Sequence, residues 1–250
     1  MKVIVQNLAT EYLDEGSGPV LLLLHGWQDN LHTFDALIPE LSQKFRVIRL
    51  DMPGFGKTEL PKNAWDLSDY ILFVHDFIVK LKLNVAVLLG HSFGGRVIMK
   101  GLATNKLHAD KLVLIGSAGI AKTKTLRTTV TRLLTKIGSI VMYIPPLLFW
   151  RKQLRKKLYH AVGSDYLNAG PLQKTFLKII NEDLSSFAAT IKQPTLLIWG
   201  ANDEATPLTD GQKLHTLISQ SQLQIFPDAG HFVHQEKSSE VVKTIKAFLC

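Results

Sequence analysis

Short apolar runs that end at a small or polar residue recur along the chain and predict buried strands. The clearest are VLLLLH at 20–25, RVIRLD at 46–51, VAVLLG at 85–90, KLVLIG at 111–116, PTLLIWG at 194–200 and LQIFP at 223–227. Nearly continuous apolar strands are typical of a parallel sheet that is covered on both faces. Helix-length segments lie between them, at 31–43, 67–82, 92–105, 207–219 and 237–249. This alternation predicts a doubly wound, mostly parallel α/β sheet.

Two further features complete the predicted architecture. Residues 2–6 and 9–14 indicate a leading hairpin. The alternation of strand and helix is interrupted once, between the strand that ends at Gly116 and the strand that starts at Pro194. The intervening residues show helical patterns but no strong strand pattern. We therefore predict a core formed by 1–116 and 190–250, with a helical cap inserted at 117–189.

Composition and charge narrow the classes of function. The chain has 250 residues, of which 46% are hydrophobic and 20% charged, which is enough apolar material for one sizeable core. Ten of its Lys and Arg residues, and no Asp or Glu, fall in 120–164. Removing these ten charges from the net +8 leaves −2, so the basicity belongs to one segment. No nucleic-acid-binding module is recognisable, and no nucleic-acid partner is predicted.

The compartment is predicted from cysteine usage and hydropathy. The single cysteine, Cys250, excludes an internal disulfide and suits a reducing compartment. The apolar run at the N-terminus is too short for a signal peptide, and no stretch of about 18 apolar residues predicts a spanning helix. We therefore expect a cytoplasmic protein.

A nucleophile motif stands at the end of one predicted strand. Residues 90–94 read GHSFG and fit the pattern G-x-S-x-G. They follow a buried strand and precede a helical run, a context in which the motif forms a sharp turn that projects the serine hydroxyl. A structural turn serine is the alternative. The strand-to-helix placement favours Ser92 as a nucleophile.

A serine alcohol is a poor nucleophile at neutral pH and needs a base that is itself oriented by a carboxylate. His231 lies in DAGH just after the last predicted strand, and Asp203 lies in WGAND just after the preceding strand. Glu204 is expected to point elsewhere, and Asp228 shares too short a loop with the histidine to reach its far ring nitrogen. The rival base, His234, is expected to be a surface residue.

Acyl transfer also needs hydrogen-bond donors that face the developing oxyanion. The backbone N–H of Phe93, directly after the nucleophile, is one predicted donor. The second is the N–H of Trp27, in the loop after the first buried strand. His25 in that loop and His91 beside the serine are expected to have structural roles.

Five motifs together carry a family resemblance. They are HGW at 25–27, DMPGFGKT at 51–58, GHSFGG at 90–95, WGANDEATP at 199–207 and DAGH at 228–231. Over 1–116 and 190–250 the chain resembles the α/β-hydrolase superfamily, in its small-cap branch of esterases, carbon–carbon bond hydrolases and related enzymes. The resemblance implies the α/β-hydrolase fold and the chain order Ser, Asp, His of its triad. It does not identify a substrate, and no cofactor is predicted.

Three other signals are set aside. GFGKT at 54–58 ends like a phosphate-binding loop, but the glycine that such a loop requires five positions before Gly56 is Asp51. We interpret the segment as a tight structural turn. A nucleophilic aspartate, as in dehalogenases and epoxide hydrolases of this fold, is absent because position 92 is serine. No histidine pair has convincing metal-ligand spacing, and no metal site is predicted.

The predicted cap combines an apolar run with a basic one. Residues 137–150 read IGSIVMYIPPLLFW, and five basic residues follow within 151–157. We predict an apolar substrate channel lined by residues from Ile144, Leu147, Leu148, Phe149 and Trp150. The basic residues predict weak association with an anionic membrane surface. The alternative is a cap whose apolar side covers the core and whose lysines are solvated.

The sequence thus predicts a serine hydrolase that cleaves carboxylic esters of small to medium hydrophobic substrates through an acyl-enzyme. Two alternatives stay open. One keeps the triad but cleaves a carbon–carbon bond in a vinylogous diketo acid. The other is a hydrolase-like ligand-binding protein with slow turnover.

Overall fold

A computed structural model describes residues 1–120 and 169–249. Its strands form an eight-stranded sheet and are β1 Lys2–Val5, β2 Leu8–Glu15, β3 Val20–Leu24, β4 Arg46–Leu50, β5 Val85–His91, β6 Lys111–Ile115, β7 Thr195–Gly200 and β8 Ser221–Phe226. The strand order is β1-β2-β4-β3-β5-β6-β7-β8. β1 pairs antiparallel with β2, and β2 pairs antiparallel with β4. The remaining neighbours in this order, from β4 through β3 to β8, pair parallel. The six predicted strands and the leading hairpin are confirmed.

The helices of the described residues fill the connections. They are α1 Ile38–Leu41, α2 Leu67–Lys80, α3 Phe93–Ala103, α4 Gln173–Ile180, α5 Ser185–Ala188, α6 Leu208–Leu217, α7 Val233–Glu236 and α8 Ser238–Leu249. The helix predicted at 31–43 is two pieces, a 3-10 helix at Leu31–Leu37 followed by α1. Pro39 is the reason, because its nitrogen cannot donate back to a preceding turn, and proline is tolerated only in the first turn of an α-helix, here the one that begins at Ile38. No helix in the described ranges is long and apolar enough to cross a bilayer.

Alternate residues of each central strand pack on opposite faces of the sheet. In β3, Leu22 and Leu24 pack in a cluster with side chains of α2, α3 and α6, whereas Leu21 and Leu23 pack in a cluster with α1 and α8. All five β3 residues are buried. Helices therefore cover both faces of the sheet, which explains why the strands read as continuous apolar runs rather than alternating ones.

The segment with the phosphate-loop ending forms a structural turn. The two carboxylate oxygens of Asp51 accept hydrogen bonds from the N–H groups of Leu31 and Lys57, each at 2.7 Å. Gly56 has φ +53°, a conformation that side chains rarely adopt, and it lies directly against the Asp51 carboxylate. The aspartate thus organises its own loop, in agreement with the interpretation from the sequence.

Within the predicted cap, the structure describes residues 117–120 and 169–189. After residue 169 the chain forms a short 3-10 helix at Gly170–Leu172 and then α4 and α5. The guanidinium of Arg96 on α3 donates to the carbonyls of Ile179 and Glu182, both at 2.6 Å, which ties this segment to α3. The predicted channel residues Ile144, Leu147, Leu148, Phe149 and Trp150 lie outside the described residues. The channel, the cap boundaries and the membrane association of the basic segment stay predictions.

Candidate active site

Ser92 lies in a strained turn between the last residue of β5 and the first residue of α3. Its backbone angles are φ 50° and ψ −109°. A positive φ is costly for a residue with a side chain and is common at nucleophile turns between strand and helix. A methyl group on Gly94 would lie 2.1 Å from the carbonyl oxygen of Leu24 in β3. Only glycine at position 94 lets α3 approach the sheet this closely, which accounts for the second glycine of the motif.

Backbone hydrogen bonds hold this turn in place. The N–H of Ser92 donates to the Ile115 carbonyl of β6 at 3.0 Å, and the Ser92 carbonyl accepts from Gly95 and Ala118 at 3.1 and 3.2 Å. Phe93 is the first residue of α3, so its N–H has no acceptor within the helix. A helix N-terminus also favours negative charge. The turn therefore combines a hydroxyl with a donor suited to an oxyanion.

His231 and Asp203 contact each other across two neighbouring loops. Nδ1 of His231, after β8, lies 2.8 Å from Oδ2 of Asp203, after β7. The Asp203 side chain is fully buried, and its Oδ1 accepts from the N–H groups of Ala205 and Thr206 at 2.9 and 2.8 Å. Because Nδ1 is engaged, Nε2 is the His231 nitrogen that can accept a proton.

The His231 loop packs against the turn that carries Ser92. His91 directly precedes Ser92, and its Nε2 lies 3.0 Å from the backbone carbonyl oxygen of His231. The two imidazole centroids are 4.7 Å apart. Since β5, β7 and β8 run parallel, their carboxyl ends meet at one edge of the sheet. The structure therefore brings the predicted Ser92, His231 and Asp203 to the same place.

The rival acids do not take part in this contact. Glu204 and Asp228 are both exposed. Of the three carboxylates considered from the sequence, Asp203 is the one that bonds the His231 ring.

The prediction for His234 was wrong. It was expected at the surface but is fully buried. His234 lies in the short helix α7, which packs on the 3-10 helix at Leu31–Leu37. Its Nε2 atom therefore lies 3.0 Å from Oγ1 of Thr33. The His234 ring also lies 4.5 Å from the His91 ring, centroid to centroid. No sequence pattern predicts α7, and a histidine in a loop at this position would be exposed.

His25 connects two loops beside the site. Its Nδ1 donates to the Gly26 carbonyl at 2.7 Å, and its Nε2 accepts from the Met52 N–H at 2.9 Å. A carbonyl only accepts and an N–H only donates, so the ring is the neutral tautomer with its proton on Nδ1. His25 thereby joins the loop after β3 to the loop after β4, which is a structural role.

The loop after β3 lies directly against the nucleophile. A methyl group on Gly26 would be 3.4 Å from Cβ of Ser92. The next residue, Trp27, has its ring centroid 5.5 Å from that of Phe93. The two residues predicted to supply oxyanion donors are therefore neighbours at the Ser92 turn.

An aromatic cluster that the sequence did not predict surrounds Trp27. Phe55, from the turn after β4, and Phe176, from α4, have ring centroids 4.9 and 5.2 Å from that of Trp27. Phe55 belongs to the PGFG turn, where the sequence pattern indicated only a loop. No sequence signal pointed to Phe176, because it meets Trp27 only through the fold.

The buried histidines predict acid sensitivity of the fold. Burial lowers the pKa of His25 and of His91, and it lowers the pKa of His234 to about 3. In the unfolded chain His234 titrates near 6.5, so below that pH the unfolded state binds a proton that the native state does not. The stability is complete above pH 6.5 and falls as the pH drops from 6.5 towards 3. Between pH 7 and pH 5 this histidine alone costs about 2 kcal/mol of unfolding free energy.

Urea unfolding at pH 7 and pH 5 tests this expectation. The His234→Gln variant should lose less stability between the two pH values than wild type, whatever its stability at pH 7. His108 is exposed, and His108→Gln is the matched control that should keep the wild-type difference. Equal pH differences in wild type and His234→Gln would contradict the prediction.

Comparison with known proteins agrees with the fold. A family model described as the alpha/beta hydrolase family matches residues 21–244, and the chain belongs to this family. It is 28% identical over 259 residues to a 2-hydroxy-6-oxononadienedioate/2-hydroxy-6-oxononatrienedioate hydrolase of Escherichia coli O139:H28, covering 98% of this chain and 88% of the relative.

Two further relatives show the range of proteins that this chain resembles. It is 27% identical over 267 residues to the 2-hydroxy-6-oxo-6-(2'-aminophenyl)hexa-2,4-dienoic acid hydrolase of Metapseudomonas resinovorans, covering 97% of this chain and 88% of that one. Among solved structures, a bacterial membrane phospholipase A superposes with a TM-score of 0.78 at 25% identity. The superposition covers 100% of this chain and 84% of that one.

Proposed function

We propose that this α/β hydrolase cleaves carboxylic esters of small to medium hydrophobic substrates through an acyl-enzyme formed on Ser92. The observation that carries the proposal is the 2.8 Å contact between Nδ1 of His231 and Oδ2 of the buried Asp203, at the sheet edge that holds the strained Ser92 turn. A nucleophile, a base and a group that orients the base are the parts that acyl transfer from serine requires.

In the first half of the proposed reaction, Oγ of Ser92 attacks the ester carbonyl while Nε2 of His231 takes the hydroxyl proton. The carbonyl oxygen becomes an oxyanion, and the N–H groups of Trp27 and Phe93 stabilise it. His231 then returns the proton to the departing alcohol, which leaves an acyl-serine. In the second half, His231 takes a proton from water while the water attacks the acyl group. The bond between the acyl carbon and Oγ of Ser92 then breaks, His231 returns the proton to Oγ, and the carboxylic acid is released.

Asp203 acts on His231 rather than on the substrate. Its Oδ2 accepts from Nδ1–H and so keeps the proton off Nε2, where the base must be vacant. Its negative charge also stabilises the imidazolium that forms during each half-reaction. Complete burial of the Asp203 side chain strengthens this interaction, because water does not screen it.

The surroundings of the site favour an apolar substrate. Trp27, Phe55, Phe93 and Phe176 form an aromatic wall at the Ser92 turn. Phe232, next to His231, keeps 42% of its surface exposed although it is a large apolar side chain. Pockets that bind apolar groups are lined in this way, with a few polar groups at the reacting atoms.

Carbon–carbon bond hydrolysis is the second candidate, since two relatives at 27% and 28% identity are dienoate hydrolases. Such substrates carry a carboxylate that needs a cation. Within the described ranges the buried cations are Arg49 and Arg96. Arg49 pairs with Glu15 and Asp35, and Arg96 donates to two backbone carbonyls. Both are already engaged, so a substrate carboxylate would need another cation, and the basic residues of 120–164 that the second candidate would use lie outside the described residues.

A panel of chromogenic esters tests the proposal and predicts a chain-length series. From acetate through butyrate and hexanoate to octanoate, kcat/KM should rise until the apolar site is full. Each buried methylene contributes about 0.8 kcal/mol, which is roughly fourfold in kcat/KM. Single replacements of Leu147, Leu148 and Phe149 by alanine should shift the preferred length if these residues line the proposed channel.

The same panel contains the outcomes that would overturn the proposal. Turnover of a 2-hydroxy-6-oxodienoic acid without turnover of esters would favour the second candidate. Binding of esters or acids without turnover of either would identify a hydrolase-like ligand-binding protein. A flat ester series would contradict the apolar site while leaving the serine chemistry in place.

A further inference from the structure

Thr206 is a buried residue whose backbone N–H and side-chain hydroxyl both face the Asp203–His231 pair. Its N–H donates to Oδ1 of Asp203 at 2.8 Å. Its hydroxyl oxygen lies 2.8 Å from Oδ2 of Asp203, 3.0 Å from the Gly116 carbonyl oxygen and 3.3 Å from Nδ1 of His231. One side chain thus reaches the acid, the base and the end of the neighbouring strand β6.

Counting protons assigns the direction of these contacts. A hydroxyl has one proton and two lone pairs. The two oxygens near it, Oδ2 of Asp203 and the Gly116 carbonyl oxygen, can only accept. The Nδ1 atom of His231 carries a proton that it donates to Oδ2 of Asp203. The Thr206 hydroxyl therefore donates to Asp203 or shares its proton with Gly116, and a lone pair faces the Nδ1–H of His231.

We propose that Thr206 is a positioning residue of the triad, an inference that rests on the proposed function of Ser92, His231 and Asp203. Two backbone N–H groups fix only the Oδ1 side of the Asp203 carboxylate. The Thr206 hydroxyl is the additional contact at Oδ2, and it holds this oxygen against Nδ1 of His231. Without it, the carboxylate can rotate about its last side-chain bond and weaken the alignment of the imidazole.

The Gly116 contact extends this restraint to the adjacent strand. Gly116 follows β6, and a methyl group there would lie 3.2 Å from Oδ2 of Asp203 and 3.3 Å from Nδ1 of His231. Its backbone therefore passes directly beside the acid–base pair. By bonding both the Gly116 carbonyl and Asp203, the hydroxyl joins the acid loop after β7 to the end of β6.

The Thr206 backbone is anchored independently of its hydroxyl. Nε1 of Trp199, a fully buried residue of β7, donates to the Thr206 carbonyl at 2.8 Å. Valine has the same branched shape as threonine, with a methyl group in place of the hydroxyl. Thr206→Val should therefore keep the loop in place and remove the contacts to Oδ2 and to Gly116, whereas Thr206→Ser should keep them.

Steady-state kinetics on the ester that wild type turns over best give the first readout. We expect Thr206→Val to lower kcat about tenfold with KM unchanged, because a hydrogen bond to a charged group is lost near the base and not at the substrate. Thr206→Ser should restore kcat to near the wild-type value. Thr195→Val is the matched control, because the buried Thr195 hydroxyl bonds a carbonyl at the start of β7, far from the acid loop.

Proton NMR of histidine-labelled protein gives a second readout that needs no substrate. The Nδ1–H of His231, assigned by its loss in Asp203→Asn, should shift and exchange faster with water in Thr206→Val but not in Thr206→Ser or Thr195→Val. If Thr206→Val lowers the melting temperature but leaves both kcat and this resonance as in wild type, the hydroxyl is merely structural and the inference is wrong. If wild type turns over no substrate while the resonance responds as expected, the proposed function fails and the positioning role stands.

Discussion

Replacing Ser92 by alanine is expected to lower kcat by a factor on the order of 10⁵ to 10⁶, as removal of the nucleophile does in other triads. Alanine keeps the Cβ atom and loses only the hydroxyl that attacks the carbonyl. Water can still reach a bound ester, and the N–H groups of Trp27 and Phe93 still stabilise its oxyanion, so a small residual rate remains. The turn itself should survive, because its backbone hydrogen bonds to Ile115, Gly95 and Ala118 do not involve the side chain.

The measurement is kcat on the best ester, together with labelling by a fluorophosphonate probe that forms a bond to activated serines. Wild type should gain one label on Ser92, and Ser92→Ala should gain none. Ser117 is a fully buried serine two residues after β6, and Ser117→Ala is the matched control that should keep both activity and label. Retention of more than a few per cent of activity by purified, folded Ser92→Ala would show that Ser92 is not the nucleophile.

The sequence predicted the frame of this site because the frame depends on local patterns. An apolar run followed by a turn residue is visible within a few positions, and parallel strands place their carboxyl ends at one edge. Ser92, Asp203 and His231 each follow such a run, and the structure brings them to that edge. Glycines at close approaches, such as Gly94 against β3, are also fixed by a short motif.

The contacts that the sequence missed join residues far apart in the chain. His234 meets Thr33 across 201 positions, and Thr206 meets Gly116 across 90. Neither pair shares a motif, and each contact exists only once the sheet order is set. The same holds for Phe176, which reaches Trp27 because Arg96 of α3 binds the end of α4 at Ile179 and the carbonyl of Glu182 just after it. Long-range packing of this kind determines how the site is supported, whereas local motifs determine which residues do the chemistry.

Replacing Asp203 by asparagine is expected to lower kcat roughly 10⁴-fold, as a misplaced histidine proton does in other triads. The Oδ1 position accepts from the N–H groups of Ala205 and Thr206, so an amide NH₂ cannot occupy it without two donors facing each other. The asparagine oxygen must take that position, and its NH₂ then faces Nδ1 of His231. Since NH₂ donates, Nδ1 must be unprotonated and the proton moves to Nε2, where it blocks removal of the Ser92 proton.

Kinetics of three variants separate this mechanism from a general effect of negative charge near the site. Asp203→Asn should lose kcat by the expected factor with little change in KM, because the base and not the substrate contact is altered. Glu204→Gln and Asp228→Asn remove the same charge from exposed positions nearby and should each lose far less. If either exposed variant matched Asp203→Asn, or if Asp203→Asn stayed within tenfold of wild type, another carboxylate would have to orient His231. Histidine NMR of Asp203→Asn should also show its ring proton on Nε2 rather than on Nδ1.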